Sequence, residues 1–225
     1  MNAKEAAGRA AAELVEAGMR VGLGTGSTAY FFLKALGERV ARGLRIQGLP
    51  TSRQTETLAR EWHIPLIAPD FGGRLDLVVD GADEFDPQLA LIKGGGGALY
   101  REKLVASLTQ RLVIVADAAK AVPVLGAFPL PVEVVPFGWE LTRGRIAALG
   151  CKAQRREQQG QPFLTDNGNY ILDCHFGQIP QPDDLHHRLK SMIGVVETGL
   201  FTNMAVQVIV GSDDGTVQHR HKSHG

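Results

Sequence analysis

The sequence predicts an α/β protein: a doubly wound, mostly parallel Rossmann-like sheet joined to a smaller ferredoxin-like α+β domain. Three observations carry this. Short apolar runs alternate with segments of helical period through the first half of the chain. Four prolines then crowd into residues 123–136, where they exclude helix interior and central strand. Beyond them the elements follow in the order strand, helix, strand, strand, helix, strand, which is a split βαβ unit.

Residues 4–17 set Ala and Leu among Lys, Glu and Arg at helical spacing, and Gly18 stops them. Residues 19–23 form a short apolar strand that enters GTGSTA, after which YFFLKALGERVA has helical period. Residues 44–49 read as a second strand and TSRQTETLAREW as a second helix. Further strands fall at 75–79, 89–92 and 111–115, with REKLVASLTQ as the helix between the last two. After the proline-rich junction come PVEVVP, the helix GWELTRGRIAALG, the strands KAQRRE and NYILDCHF, the helix PDDLHHRLKSMIG and the strand VVETGLF. Asp166-Asn167-Gly168 supplies turn chemistry for the hairpin between the middle strands. MAVQVIVG, the turn SDDG and TVQHR return to the first sheet. The expected domains are 1–125 plus about 205–225, Rossmann-like and catalytic, and about 126–204, ferredoxin-like.

With 225 residues and 44% apolar content the chain can bury a real core. Lys plus Arg and Asp plus Glu both number 24, so the chain lacks the basic excess that nucleic acid or an anionic membrane would attract. Any anion must be held by a local site. Cys151 and Cys174 make no disulfide framework and no paired metal-ligand spacing, which suits a reducing cytosol. The charged N-terminal helix reads as neither signal peptide nor membrane span, so a cytoplasmic location is expected. Three of the seven histidines lie in the tail HRHKSHG, read as a frayed polar end rather than a metal site.

Three segments can carry chemistry. GLGTGST, residues 22–28, leaves a strand and opens a helix, where backbone N–H groups and the helix dipole accept an anion. Thr25, Ser27 and Thr28 add hydroxyls, and Gly26 lets the chain come close. It is neither a dinucleotide fingerprint, since Ser27 stands where the third glycine would be, nor a Walker loop; a capped glycine turn is the plainer alternative. In LVVDGADEFD, Asp80 and Asp83 emerge at the carboxyl end of a buried strand, where open α/β sheets place their ligand crevice. Such a pair can hold sugar hydroxyls, move protons, bind a divalent cation, or cap a turn, and Glu84 and Asp86 read as caps or solvent-facing acids. LIKGGGGALYREK is the most specific: Gly94, Gly95, Gly96 and Gly97 cost too much chain entropy unless the backbone takes unusual angles or approaches a ligand. Their N–H groups can form an anion nest beside Lys93, and Glu102 falls early in the following helix, where a solvated dipole partner is the plainer reading. Lys4 and Lys120 are candidate phosphate ligands.

Taken together, GTGST, DGADE, KGGGGAL with REK, ADAAK, FPLPVEV and TDNGN resemble the ribose-5-phosphate isomerase A family, from Lys4 to about Gly215. The resemblance implies interconversion of D-ribose 5-phosphate and D-ribulose 5-phosphate, in the non-oxidative pentose phosphate pathway, without cofactor or metal. It implies Glu102 as catalytic acid/base, with Asp80, Asp83 and Lys93 at the reacting end of the sugar and the glycine run as oxyanion donors. Lys4, Thr25, Ser27, Thr28 and Lys120 match positions that hold the phosphate, and a homodimer or homotetramer built through the second domain is implied as well. Three departures stand out: PTSRQT ends the second strand where relatives more often have a serine pair; Ala119 replaces the serine of ADASK; and Gln207 lies near a position where an acid is common. The rival readings are an amino-sugar-phosphate deaminase, a CoA transferase, or a non-catalytic sugar-phosphate sensor; KGGGGALYREK argues against the first two, and the lack of any DNA-binding segment against the third.

Overall fold

The computed structural model describes residues 2–222. Its elements begin α1 (Ala3–Ala12), β1 (Arg20–Leu23), α2 (Ser27–Ala41), β2 (Gln47–Pro50), α3 (Arg53–Glu61), β3 (Leu77–Gly81), β4 (Glu84–Phe85), β5 (Leu91–Ile92), α4 (Leu99–Ser107) and β6 (Leu112–Asp117). They continue β7 (Leu130–Val134), α5 (Trp139–Ala147), β8 (Lys152–Arg155), β9 (Glu157–Gln158), β10 (Gln161–Pro162), β11 (Tyr170–His175), α6 (Pro182–Lys190), β12 (Val195–Thr198), β13 (Leu200–Phe201), β14 (Ala205–Gly211) and β15 (Val217–His221). The chain forms two compact units. The first holds the chain up to Ala82, Arg101–Ala121 and the chain from Met204; the second holds Asp83–Tyr100 and Val122–Asn203.

In the first unit, six strands run in the order β15-β14-β6-β3-β1-β2, parallel throughout except for the antiparallel edge pair β14–β15. Side-chain alternation makes the sheet two-sided. Val21, Leu23, Leu77, Val79, Val113, Val115 and Ile209 share a core with Ala7 and Ala11 of α1 and Phe32, Leu33 and Leu36 of α2. Gly22 points the other way: a methyl there would lie 2.6 Å from Val78 and 2.7 Å from Val105 of α4. Helices therefore cover both faces, as doubly wound sheets require. From β1 the chain passes through α2 to β2 on one side, while β3, β6 and β14 extend the sheet on the other. The switch point between β1 and β3 is where such sheets open a crevice.

The second unit carries an antiparallel sheet in the order β12-β7-β11-β8, backed by α5 and α6, the arrangement of a ferredoxin-like unit. Its core gathers Leu130, Val132, Val134, Ile146, Leu172, Cys174 and Leu189. At the expected hairpin Thr165 N–H donates to Asn169 O at 2.9 Å and Gly168 N–H to Thr165 O at 2.9 Å, with Gly168 at φ +79°.

Several boundaries differ from the sequence reading. The helix expected over 4–17 ends at Ala12, where the Leu14 and Val15 amides tighten onto the carbonyls three residues back, at 3.1 and 3.2 Å. α2 begins at Ser27, inside GTGSTA rather than after it. The strand expected over 89–92 shortens to Leu91–Ile92 and does not join the parallel sheet. Leu89 takes a left-handed φ of +58°, and β5 pairs antiparallel with β4 and β13. Residues 83–100 accordingly pack with the second unit, interrupting the continuous 1–125 block anticipated from sequence.

Candidate active site

In the first unit the chain leaves β1 at Leu23 and turns through residues 24–26 into α2. A methyl on Gly24 would fall 2.3 Å from the Asp80 carboxylate, so only glycine lets the loop lie on that side chain. Asp80, 1% exposed at the end of β3, accepts from the N–H groups of Thr25 at 3.0 Å and Gly81 at 2.8 Å. The Thr25 hydroxyl turns into a buried cluster with Thr51 at 2.8 Å, Ser52 at 2.8 Å and Thr55 at 3.0 Å. The Thr25 side chain, expected among the phosphate ligands, here fastens the loop onto the start of α3. The departure at PTSRQT is part of the same cluster, since Thr51 and Ser52 come from it.

Gly26, at φ +113°, caps α2. The first turn of that helix holds no acidic residue, so its positive end is left uncompensated. Ser27 is exposed there and its Oγ accepts from Lys4 Nζ at 2.9 Å, while Thr28 is buried. Lys4 also lines a cavity of about 640 Å³ with Asn2, Asp117, Ala118, Ser212 and Asp213. Lys120, half-buried, ends a single 3-10 turn that Asp117 caps by accepting from Ala119 N–H at 3.1 Å. The sequence-selected Lys4 and Ser27 thus meet directly, and the lysine shares its cavity with the turn that leads to Lys120. Gln207 instead reaches across from β14 to His219 of β15 at 2.7 Å. Glu102, the fourth residue of α4, is 4% exposed, which rules out the solvated dipole partner that its position alone allowed.

In the second unit, Asp83 N–H donates to Ile92 O at 2.8 Å and Lys93 N–H to Gly199 O at 2.9 Å. Lys93 is 2% exposed and its Nζ lies 5.4 Å from the centre of the Phe201 ring, close enough for a cation–π contact. Residues 94–97 form a tight turn closed by Gly97 N–H to Gly94 O at 2.9 Å. Gly94 and Gly97 sit at φ +101° and +83°, and a methyl on Gly97 would fall 2.3 Å from the Phe163 ring. Gly95 N–H donates to Asp83 Oδ2 at 2.7 Å, so Asp83 fastens the turn. Glu84 is a buried cap, accepting from Gly126 N–H at 2.7 Å and Phe128 N–H at 2.5 Å, and Asp86 caps its own turn through Gln88 and Ala90. Arg156, which the sequence gave no reason to single out, donates to the carbonyls of both Gly94 and Gly95.

Among the described residues no group of three or more His, Cys, Asp or Glu side chains could hold a metal ion, and no helix is long and apolar enough to cross a membrane. His224, in the histidine tail, lies outside the described residues.

Comparison with known proteins bears on the same segments. The family model described as ribose 5-phosphate isomerase A (phosphoriboisomerase A) matches residues 47–215. The chain is 51% identical over 220 residues to a ribose-5-phosphate isomerase A from Bacillus mycoides, covering 97% of this chain and all of that one. It is 52% identical over 220 residues to the same-named protein of Parvibaculum lavamentivorans, covering 95% of each. Among solved structures, a D-ribose-5-phosphate isomerase in complex with phospho-erythronic acid superposes with a TM-score of 0.94 at 39% identity, covering 98% of this chain and 100% of that one. The ribose 5-phosphate isomerase A of Methanocaldococcus jannaschii gives a TM-score of 0.92 at 38% identity, over 97% and 98% of the two chains. The nested glycine turn, the anion-ready end of α2 and the buried Glu102 therefore occur in a chain that belongs to the ribose 5-phosphate isomerase A family.

Proposed function

We propose that this protein interconverts D-ribose 5-phosphate and D-ribulose 5-phosphate through an enediolate, with Glu102 as the single acid/base. The observation that carries the reading is a carboxylate 4% exposed in the first turns of α4, a few residues beyond a turn of four glycines. Moving the carbonyl between C1 and C2 requires removing the proton from C2 of the open-chain aldose and returning one to C1. A carboxylate shielded from bulk water can perform both transfers. Negative charge develops on the oxygens at C1 and C2 as the proton leaves. The Gly95 and Gly97 N–H groups are taken up by Asp83 and Gly94 O, so the Gly96 N–H and the Lys93 ammonium are the donors suited to it. By the family resemblance Asp80 and Asp83 are assigned to the reacting end; within its own unit each engages a backbone N–H of the neighbouring loop. The far end of the sugar, a phosphate dianion, is assigned to the first turn of α2 with Ser27, Thr28 and Lys4, and to Lys120.

Direct measurement of ribulose 5-phosphate formed from ribose 5-phosphate in D2O tests this. A protein-borne base can exchange its proton with solvent between the two transfers, so some deuterium is expected in the product; a protein that forms no ribulose 5-phosphate would overturn the reading. EDTA is expected to leave the rate unchanged, and a loss that added metal restores would contradict the metal-free reading. We assign the reaction to the cytoplasm, where the two free cysteines stay reduced.

The second unit exposes Phe137 (95%), Leu141 (72%) and Ile193 (83%). These belong to one neighbourhood, because Val135 N–H donates to Gly194 O at 2.9 Å and a methyl on Gly194 would touch Thr142. A second copy of this chain is the occupant that the family resemblance supports, making a homodimer or homotetramer.

A further inference from the structure

The glycine turn of the second unit does not hold its shape alone. Arg156 lies between β8 and β9, where its N–H donates to Ile171 O of β11 at 2.8 Å, and it is mostly buried, with 15% of its side chain exposed. One edge of its guanidinium pairs with both oxygens of Asp173 on β11, through Nε at 3.0 Å and Nη2 at 2.5 Å. The remaining nitrogen, Nη1, donates to Gly94 O at 2.9 Å and Gly95 O at 3.0 Å. A planar, always-charged fork locked by a bidentate carboxylate is a rigid clamp.

The consequence follows from peptide geometry. In a trans peptide the C=O and the following N–H point in opposite directions. Fixing the Gly94 carbonyl therefore fixes the Gly95 N–H, which donates to Asp83 at 2.7 Å. Fixing the Gly95 carbonyl aims the Gly96 N–H away from Arg156. Glycine peptides are the softest in the chain, so without an external hold this plane could flip. Asp83 holds one peptide by its N–H, whereas Arg156 holds two by their carbonyls.

We propose that Arg156, braced by Asp173, is a positioning residue that sets the oxyanion-binding geometry of the 94–97 turn. This rests on the proposed isomerase reading. Arg156 acts through the peptide planes, and Asp173 through Arg156.

The test compares Arg156→Lys, Asp173→Asn and, as control, Arg155→Lys, whose guanidinium stacks on Trp139 and Tyr170 at 4.7 and 5.4 Å. Lysine keeps the charge but has three donors on one nitrogen, so it cannot pair both Asp173 oxygens and hold both carbonyls at once. For Arg156→Lys, kcat on ribose 5-phosphate is expected to fall about 10- to 100-fold, the range for a misplaced oxyanion donor. KM is expected to change less than threefold. The dissociation constant of phospho-erythronic acid should rise about tenfold while that of inorganic phosphate stays within twofold, a split that general loosening would not give. Asp173→Asn, close to isosteric, should shift the same quantities in the same direction, and it carries the test if the lysine variant does not fold. Arg155→Lys should keep kcat within twofold. The proposal is overturned if kcat stays within threefold of the parent in the folded clamp variants, if both ligands weaken equally, or if the control loses as much. An inactive parent protein would instead remove the isomerase reading itself.

Discussion

At position 97 a side chain has nowhere to go. The backbone is left-handed and the space a methyl would need is filled by Phe163, so Gly97→Ala is expected to cost about 1–3 kcal/mol and to distort the turn. In a chain of this length each kcal/mol lowers Tm by about 2–4 °C, so scanning calorimetry reads the loss while the assay reads a larger drop in kcat. An unchanged Tm and kcat would show that the turn tolerates a side chain. Thr25 makes a second case. Thr25→Val removes the hydroxyl shared by Thr51, Ser52 and Thr55, each of which keeps another partner, so unfolding in urea is expected to show a loss of about 1 kcal/mol. What was legible at this scale was that four glycines must serve backbone geometry. What was not legible was where Thr25 points, because a hydroxyl beside a phosphate and one buried among other hydroxyls have the same local sequence. Arg156 was equally hidden: in RREQQGQ it reads as solvated charge, and its link to Asp173 exists only once β8 and β11 pair in register.

Elements whose ends carry their own chemistry were read well, and those whose identity depends on partners were not. α3 starts where Ser52 accepts from Thr55 N–H at 3.0 Å, two residues into the helix read over TSRQTETLAREW; Ser52→Ala is expected to cost about 1 kcal/mol by urea unfolding, and no change in midpoint would remove the cap from the account. Residues 89–92, by contrast, are apolar enough for a buried parallel strand. Nothing local says that they pair antiparallel with β4 and β13, because register and sheet membership are tertiary. The cysteines belong to the same scale. Cys174 on β11 is fully buried, and the neighbouring Cys151 thiol, together with burial, pushes its thiol up, while Cys151 is drawn down. Iodoacetamide is therefore expected to label Cys151 first in the native protein and both after unfolding; faster labelling of Cys174 would contradict the burial.

For the molecule as a whole, alternating strands and helices, the proline-rich junction and the split βαβ order beyond it announced two architectures in one chain, and the topology carries both. The division of the chain was harder to read, since residues 83–100 leave the first unit and return, with Asp83, Lys93 and the glycine turn in one unit and Asp80 and Glu102 in the other. The exposed Phe137, Leu141 and Ile193 lead to an expected mass of at least two chains by light scattering at micromolar concentration, against 24.2 kDa for a monomer. Ile193→Asp should weaken that assembly; a parent protein that is already monomeric would contradict it. The central claim, that one buried carboxylate moves the proton, is tested most directly by steady-state kinetics of Glu102→Gln on ribose 5-phosphate. An amide of the same shape keeps the site filled but cannot take a proton, so kcat should fall by about 10²–10⁴-fold with KM nearly unchanged. Turnover within a few-fold of the parent would contradict the account.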